Sequence, residues 1–292
     1  KNYEEKKIEK NYEEKKIEKN YEIKIEEKNE ISHCTISEKQ YRKCGIIGKG
    51  GNSKVYLVEN NNKFYALKVV NIEMDQKLRK STLKEIDILQ NLKGSYGIID
   101  LIDTRIDTEN IYILLEYGSI DLAKYIRRNH LSLNAIRFFW EQMLRILQVV
   151  HSNRIIHADI KPANFVIVDG NLKLIDFNIS SKIKADTTRL DLESACGTLN
   201  YVAPEILDST LKQRRRGSDV WSLGIILYEM LYKRVPVDYT TNSADWLEKI
   251  QNMDDFVKDD GGEYSEIIKI IRACLRKNPK DRPTVEELLE NF

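Results

Sequence analysis

The sequence predicts an α+β fold in two lobes, a small β-rich N-terminal lobe with one main helix and a larger helical C-terminal lobe. Short β-like runs separated by glycine and asparagine turns crowd the chain between Tyr41 and Val70. A helical pattern follows them, and beyond Gly118 the apolar residues recur mainly at helical spacing. We therefore expect the first lobe over residues 37–117 and the second over residues 118–292.

The start of the chain differs in composition from the rest. Residues 2–10 and 11–19 are identical copies of one repeat, and a degenerate third copy begins at Asn20. Lys and Glu dominate here, and the few Tyr and Ile residues cannot offset the entropy of ordering the segment. We interpret residues 1–36 as a flexible charged tail, with a docking or oligomerisation segment as the alternative. Each copy of the repeat ends in Lys, so Lys1 is the residue that would end a preceding copy. We therefore expect a fragment of a longer protein.

The predicted N-terminal lobe is an antiparallel sheet of about five strands with one helix packed on it. Apolar runs of strand length, separated by turn-forming residues, lie at 46–47, 55–58, 64–70, 98–102 and 111–115. Between the third and fourth runs, residues 75–93 carry apolar positions near helical spacing, and the pattern stops at Gly94.

The predicted C-terminal lobe is helical with one hairpin. Amphipathic runs of helix length lie at 122–128, 133–152, 218–232, 244–253, 264–275 and 284–291. The hairpin has strands at 165–168 and 172–175. Asp169-Gly170-Asn171 joins them, and Asp-Gly favours the positive φ values of a tight two-residue turn.

Charge and composition exclude several classes of function. The 47 Lys and Arg residues balance 46 Asp and Glu residues, so the net charge of +1 provides no overall field for nucleic acid. No apolar run approaches the ~18 residues of a membrane span. The four cysteines are too few and too irregularly spaced for a disulfide framework or a zinc site. We therefore expect an intracellular protein with no nucleic-acid or membrane partner.

A glycine-rich loop lies between the first two predicted strands of the main sheet. Gly48, Gly50 and Gly51, followed by Ser53, form most of a G-x-G-x-x-G pattern, with Ser53 in place of the third glycine. Glycines allow backbone amides to approach a phosphate closely. The pattern alone is also compatible with a plain hairpin turn. The polar residues that follow are what favour a phosphate-binding loop.

Those polar residues match the needs of phosphoryl transfer from a nucleotide. Lys68 lies on the next strand and Glu85 in the following helix, where a carboxylate could hold the lysine beside bound phosphates. Further on, Asp159 is suited to act as the base near an acceptor hydroxyl. Asn164 and Asp176 are suited as oxygen ligands of Mg²⁺ that bridges the phosphates. ATP and Mg²⁺ are thus the predicted cofactors.

With these motifs the chain resembles the eukaryotic protein kinase family over residues ~37–292. The resemblance continues through Ala203-Pro204-Glu205, Ser218–Gly224 and Asn278–Arg282. It implies that Glu205 pairs with Arg282 and that Asp219 anchors the catalytic loop. It also implies a serine/threonine pattern in which Lys161 approaches the transferred phosphate and Thr198 braces Asp159.

The same resemblance assigns the adenine site. Leu115 corresponds to the gatekeeper, and the backbones of Glu116 and Tyr117 would meet the adenine edge. The side chains expected above and below the adenine ring are Val55, Ala66 and Val166.

A narrower resemblance is to the monopolar-spindle family of dual-specificity kinases of the spindle checkpoint. The segments that carry it are 50–55, 118–122, 161–170, 172–177 and 197–201. This family implies phosphorylation of Ser and Thr with some Tyr, and autophosphorylation within the activation segment. It also implies kinetochore proteins as partners and a location at the nucleus, kinetochore and spindle.

Two departures from the kinase pattern leave alternatives open. Ala158 replaces an arginine that in many kinases binds a phosphorylated activation loop, and Asn178 replaces the glycine after Asp176-Phe177. A catalytically weak pseudokinase scaffold that binds ATP is therefore the main alternative. A small-molecule phosphotransferase is a third, which the segment around Glu205 and Arg282 disfavours.

Two further segments indicate less about function: the activation segment, which runs from Asp176 to Glu205, and a basic run. Thr187, Thr188 and Ser194 are candidate autophosphorylation sites, and Thr198 is a weaker one because of its bracing role. The run at 214–216 consists of three arginines, which we interpret as a solvated loop rather than a docking site for acidic substrate.

Overall fold

The computed structural model describes residues 32–73, 75–177, 199–207, 216–238, 246–251 and 261–291. These residues form two compact units. The first contains the described residues up to Ile120 together with 166–177, and the second contains 121–165 and the described residues from 199 onward. The predicted lobe boundary at 117/118 and the extent of the tail stay predictions.

A six-stranded antiparallel sheet forms the centre of the first unit. Its strands are β1 (His33–Ile36), β2 (Lys39–Lys49), β3 (Ser53–Asn60), β4 (Lys63–Asn71), β5 (Leu101–Ile106) and β6 (Asn110–Glu116). Their order across the sheet is β1-β2-β3-β4-β6-β5. The sequence predicts about five strands, and β1 is the additional one. It has four residues and lies within the range interpreted as tail, so its pattern was too short to mark a strand.

The two edge strands of this sheet come together. Arg105 of β5 donates from Nη1 to the carbonyl oxygen of Thr35 in β1 at 2.7 Å. Ser37, just after β1, donates to Asp103 Oδ1 at 3.0 Å. Ile36 is buried among the apolar side chains of neighbouring strands, which explains why β1 is ordered although its sequence signal is weak.

One helix, α1 (Gln76–Asn91), accompanies the sheet, as the sequence predicts. Asp75 caps its N-terminus, because its Oδ1 accepts hydrogen bonds from the backbone N–H of Lys77 at 3.0 Å and of Leu78 at 2.9 Å. Apolar positions at helical spacing bury the same face that carries Glu85. The cap and this spacing together fix the rotation of the helix and turn Glu85 inward.

The Asp-Gly hairpin belongs to the first unit. After the short β7 (Ile120–Asp121), strands β8 (Phe165–Val168) and β9 (Asn171–Leu174) complete a sheet of order β7-β8-β9. Asp169 and Gly170 have φ values of 47° and 78°, the left-handed backbone that the prediction requires. Leu174 ties β9 to the chain before β5, since its N–H donates to the carbonyl oxygen of Gly97 at 2.7 Å.

The second unit is helical. Its helices are α2 (Leu122–Arg128), α3 (Leu133–Ser152), α4 (Pro204–Leu207), α5 (Arg216–Tyr232), α6 (Trp246–Gln251), α7 (Ser265–Cys274) and α8 (Val285–Glu290), with a short 3-10 turn at Pro162–Asn164. Gly224 lets α7 approach α5, because a Cβ there would lie 2.7 Å from Cys274 Cβ. Within the described residues, no helix combines the length and apolarity needed to cross a membrane. The predicted α+β fold class is confirmed.

Candidate functional site

An ion-pair cluster in the first unit gathers three predicted site residues. Lys68 Nζ lies 2.7 Å from Glu85 Oε1, 3.0 Å from Glu85 Oε2 and 3.3 Å from Asp176 Oδ1. The Glu85 side chain is only 2% exposed, whereas that of Asp176 keeps 26%. Burial disfavours the charged ammonium, but the two carboxylates outweigh it, so the pKa of Lys68 is raised above its ordinary value.

Each member of this cluster is placed by a different element. Lys68 lies on β4, opposite Val55 of β3. Glu85 projects from the buried face of α1. Asp176 follows β9 and has a φ of 62°, a left-handed backbone that is uncommon for a residue other than glycine. A residue that holds this uncommon backbone conformation, with its carboxylate beside a buried ammonium, is typical of a functional site.

The glycine-rich loop joins β2 to β3, as the sequence predicts. The N–H of Gly50 donates to the carbonyl oxygen of Ser53 at 2.8 Å, which closes a tight turn. A Cβ on Gly50 would lie 2.8 Å from Ser53 Oγ, and one on Gly48 would lie 3.4 Å from Val55. A Cβ added at Gly51 would meet nothing within 4 Å, so the space beside this residue is open.

The residues predicted to surround adenine all lie in this unit. Ala66 of β4 pairs with Leu115 of β6, so these two positions are neighbours across the sheet. Leu115 is buried, at 8% exposure. Glu116 is the last residue of β6, and Tyr117 follows it and leads into Gly118.

Val166 lies directly against the segment that follows β6. A Cβ on Gly118 would stand 2.6 Å from Val166 Cβ and 3.2 Å from the carbonyl oxygen of Ile167. The next residue, Ser119, donates its N–H to that carbonyl at 2.9 Å. Only a glycine allows the chain to approach the hairpin this closely.

We expect Gly118→Ala to destabilise the first unit by about 1–3 kcal/mol, because the added methyl group overlaps Val166. Gly45→Ala is the matched control, since a Cβ at that position meets nothing within 4 Å. Chemical denaturation of both variants measures the difference. Gly118→Ala should cost less in a Val166→Gly background, which removes the Cβ that the methyl group meets, and an equal cost in both backgrounds would show that the overlap is not the cause.

The second unit gathers the other three predicted polar residues. Lys161 Nζ lies 2.9 Å from Asp159 Oδ2. The amide nitrogen of Asn164 donates to the carbonyl oxygen of Asp159 at 2.7 Å and to its Oδ2 at 3.1 Å. The short 3-10 turn places Asn164 for these contacts, since its N–H donates to the carbonyl oxygen of Lys161 at 3.0 Å.

Asp219 of α5 fixes the backbone just before Asp159. Its Oδ2 accepts from the N–H of His157 at 3.0 Å, and its Oδ1 accepts from the N–H of Ala158 at 2.8 Å. Ala158 has a φ of 62°, so a buried carboxylate holds a left-handed residue next to Asp159. His157 Nδ1 in turn accepts from the N–H of Asp159 at 3.3 Å, so this imidazole also contacts the backbone of the loop that carries Asp159.

His151 is a further anchor that the sequence did not indicate. Its Nε2 lies 2.9 Å from Asp219 Oδ2, and both side chains are almost completely buried. Arg216, the last of the three arginines, donates to the carbonyl oxygen of His151 at 2.8 Å. Arg216 is exposed, as the interpretation of a solvated run expects, and its guanidinium also contacts the end of α3. His151 stands in the last turn of a long amphipathic helix, where no local pattern points to a partner.

Glu205 and Arg282 form the ion pair that the resemblance implies. Arg282 Nη1 and Nη2 lie 2.7 Å and 2.8 Å from Glu205 Oε1 and Oε2, a bidentate contact. Ser218 Oγ donates to Glu205 Oε1 at 2.8 Å, and the guanidinium lies 4.8 Å from the ring of Trp221. This pair holds the segment 199–207 on α5.

Several predicted positions lie outside the described residues. They are Asn178, Thr187, Thr188, Ser194, Thr198, Arg214 and Arg215. Within the described part of the chain, no group of three or more His, Cys, Asp or Glu side chains gathers as a metal site. Mg²⁺ commonly binds through only one or two carboxylates together with substrate phosphates, so the Asp176 carboxylate in the first unit and the side-chain oxygen of Asn164 in the second are each a suitable kind of donor.

Comparison with known proteins places these features in context. A model described as protein kinase domain matches residues 41–292. The chain is 43% identical to serine/threonine-protein kinase MPS1 of Encephalitozoon cuniculi over 245 residues, 84% of this chain and 42% of that protein. It is 39% identical to probable serine/threonine-protein kinase mps1 of Dictyostelium discoideum over 271 residues, 88% of this chain and 28% of that protein.

A vertebrate relative is similar at nearly the same level. Dual specificity protein kinase TTK of Mus musculus is 37% identical over 276 residues, 89% of this chain and 32% of that protein. The chain thus spans less than half of the length of each of these three relatives.

Proposed function

The chain belongs to the protein kinase family, and we propose that it is an active kinase that transfers the γ-phosphate of ATP to Ser and Thr, and to some Tyr, of proteins. The observation that carries this proposal is the completeness of its polar residues. Lys68, Glu85 and Asp176 are joined in one unit, and Asp159, Lys161 and Asn164 are joined in the other. Retention of this set favours an enzyme over the pseudokinase alternative.

Each charged residue has a distinct proposed role. Lys68, held by Glu85, binds the phosphates that are not transferred. Asp159 orients the acceptor hydroxyl and receives its proton, and Lys161 neutralises charge on the transferred phosphate. Catalysis on this account consists mainly of positioning and electrostatic stabilisation, because phosphoryl transfer needs little covalent chemistry from the protein.

Asp176 and Asn164 are the proposed Mg²⁺ ligands. The Asn164 amide nitrogen donates to Asp159, and this orientation supports the proposal that its Oδ1 serves the metal. When bound, Mg²⁺ neutralises negative charge on the phosphates. Before any metal binds, Lys68 holds the carboxylate of Asp176 and Asp159 holds the amide of Asn164.

The proposed nucleotide site combines the glycine-rich loop with the end of β6. Backbone amides of residues 48–53, apart from the Gly50 N–H that donates to Ser53, approach the phosphates, and the Glu116–Tyr117 backbone meets the adenine edge. Val55, Ala66 and Val166 pack on the ring, and Leu115 limits the depth of the site. The pairing of Ala66 with Leu115 and the close approach of Gly118 to Val166 support this arrangement.

Proteins are the proposed acceptors in place of small molecules. The Glu205–Arg282 pair holds residues 199–207 in the same unit as Asp159, and small-molecule kinases of related fold usually lack this segment. The relatives named MPS1 and TTK extend the proposal to spindle-checkpoint and mitotic control. Kinetochore proteins are then the proposed partners, and the nucleus and spindle the proposed location.

Transfer of labelled γ-phosphate tests this function. Purified chain is incubated with Mg²⁺ and ATP, once with generic protein substrates and once with a panel of metabolite hydroxyl compounds. We expect label on protein only, and none with Lys68→Met, which loses the phosphate-binding ammonium. Label on metabolites alone would identify a small-molecule phosphotransferase, and no label in either would favour the scaffold.

A further inference from the structure

A second charged cluster in the first unit consists of Lys173, Glu116 and Asp100. Lys173 Nζ lies 2.6 Å from Glu116 Oε1 and 3.5 Å from Asp100 Oδ2. Glu116 Oε1 also accepts from the N–H of Asp100 at 2.7 Å, and the N–H of Glu116 donates to the carbonyl oxygen of Asp100 at 3.0 Å. The Lys173 and Glu116 side chains are 21% and 18% exposed, so solvent only partly screens their attraction.

The position of this cluster connects two parts of the proposed nucleotide site. Glu116 is the last residue of β6 and immediately precedes Tyr117. Lys173 is on β9, three residues before Asp176 and in the strand that pairs with β8, which carries Val166. The Glu116–Lys173 ion pair therefore joins the segment proposed for the adenine edge to the hairpin proposed for the adenine face.

Two other contacts secure the same segment further along. Gly118 packs against Val166, and Ser119 donates to the carbonyl oxygen of Ile167 at 2.9 Å. These contacts hold the segment at residues 118–119. At residue 116 the backbone pairs with Tyr65 of β4 and donates to Asp100, and the ion pair adds a side-chain contact from this residue to β9. Since the Glu116 carboxylate receives one backbone N–H and one ammonium, loss of Lys173 would leave that half-buried carboxylate underpaired.

We propose that Lys173 is a positioning residue for nucleotide binding, which acts through Glu116. By fixing Glu116 relative to β9, it sets the distance between the Tyr117 backbone and Val166, and so the width of the adenine site. This inference rests on the proposed function, because it concerns the same nucleotide site. It predicts an effect on nucleotide affinity rather than on turnover, since Asp159 and Lys161 lie in the other unit.

The first experiment compares Lys173→Met with wild type. We expect the Kd and KM for ATP in the presence of Mg²⁺ to rise about three- to tenfold, with kcat at saturating ATP changed less than about twofold. Lys173→Arg should restore affinity, because a guanidinium can also pair with a carboxylate. Lys39→Met, at an exposed position at the start of β2, is the matched control and should change neither constant.

A double-mutant cycle with Glu116→Gln separates positioning from a general structural loss. If the two residues act through their contact, Lys173→Met/Glu116→Gln binds ATP no more weakly than the poorer single variant. Additive losses, or single variants with unchanged Kd, would overturn the proposal. Should Lys173→Met fail to fold, Glu116→Gln and Lys173→Arg test the same contact.

Failure of this inference is distinguishable from failure of the proposed function. An active wild type with an unaffected Lys173→Met would refute the positioning role alone. A wild type that binds ATP but transfers no phosphate would refute the enzyme and leave the Kd comparison in force. A wild type that binds no ATP would refute both.

Discussion

Asp159→Asn is expected to lower the rate of phosphate transfer by about 10²–10⁴-fold. Asparagine keeps the size of the side chain and can still accept from Asn164, but it cannot take the proton of an acceptor hydroxyl. It also removes the charge that pairs with Lys161 at 2.9 Å. ATP affinity should change little, because the Lys68 cluster and the proposed adenine residues lie in the other unit.

Steady-state kinetics at saturating ATP, together with direct measurement of ATP binding, checks both parts of this prediction. Asp169→Asn is the matched control, since Asp169 is an exposed turn residue whose left-handed backbone asparagine tolerates. Retained turnover in Asp159→Asn would remove this residue from its proposed role. Lost ATP binding would indicate that the two units do not act separately on nucleotide and acceptor.

Arg282→Met is expected to destabilise the second unit by about 3–5 kcal/mol. The guanidinium is completely buried and the Glu205 side chain is 4% exposed, so the change leaves a carboxylate without its bidentate partner. Arg282 also donates to the carbonyl oxygen of Gly217 at 2.9 Å, and that contact is lost as well.

Chemical denaturation measures this loss, with Arg234→Met as the control at an exposed position. Glu205→Gln combined with Arg282→Met should be more stable than Arg282→Met alone, because the neutral amide costs less to bury than an unpaired charge. A loss below about 1 kcal/mol in the single variant would mean that water or another group replaces the arginine.

Local sequence patterns predicted most of the regular structure. Helices α2 and α3 have the predicted bounds at 122–128 and 133–152, because each has a polar N-cap and a continuous apolar face. The turn at Asp169-Gly170 was predictable because the dipeptide Asp-Gly favours the positive φ values of a tight turn. In contrast, β1 is a short strand whose order depends on contacts with distant residues, such as Arg105 on Thr35.

The same distinction applies to the candidate site. Lys68, Glu85, Asp159, Asn164 and Asp176 were predictable because their residue types and spacing match one chemistry. Glu116 and Lys173 are 57 positions apart, and neither stands in a pattern that demands a partner. Their contact exists because the hairpin packs beside the end of β6, and only the three-dimensional arrangement of the strands reveals it.

The most direct test of an active protein kinase is phosphosite mapping by mass spectrometry after incubation with Mg²⁺ and ATP. Wild type is compared with Asp176→Ala, which lacks a proposed metal ligand. We expect phosphate on Ser, Thr or Tyr of the wild-type chain, with Thr187, Thr188 and Ser194 as the first candidates, and none on the variant. No phosphate on the wild-type chain and none on added protein substrates would contradict it.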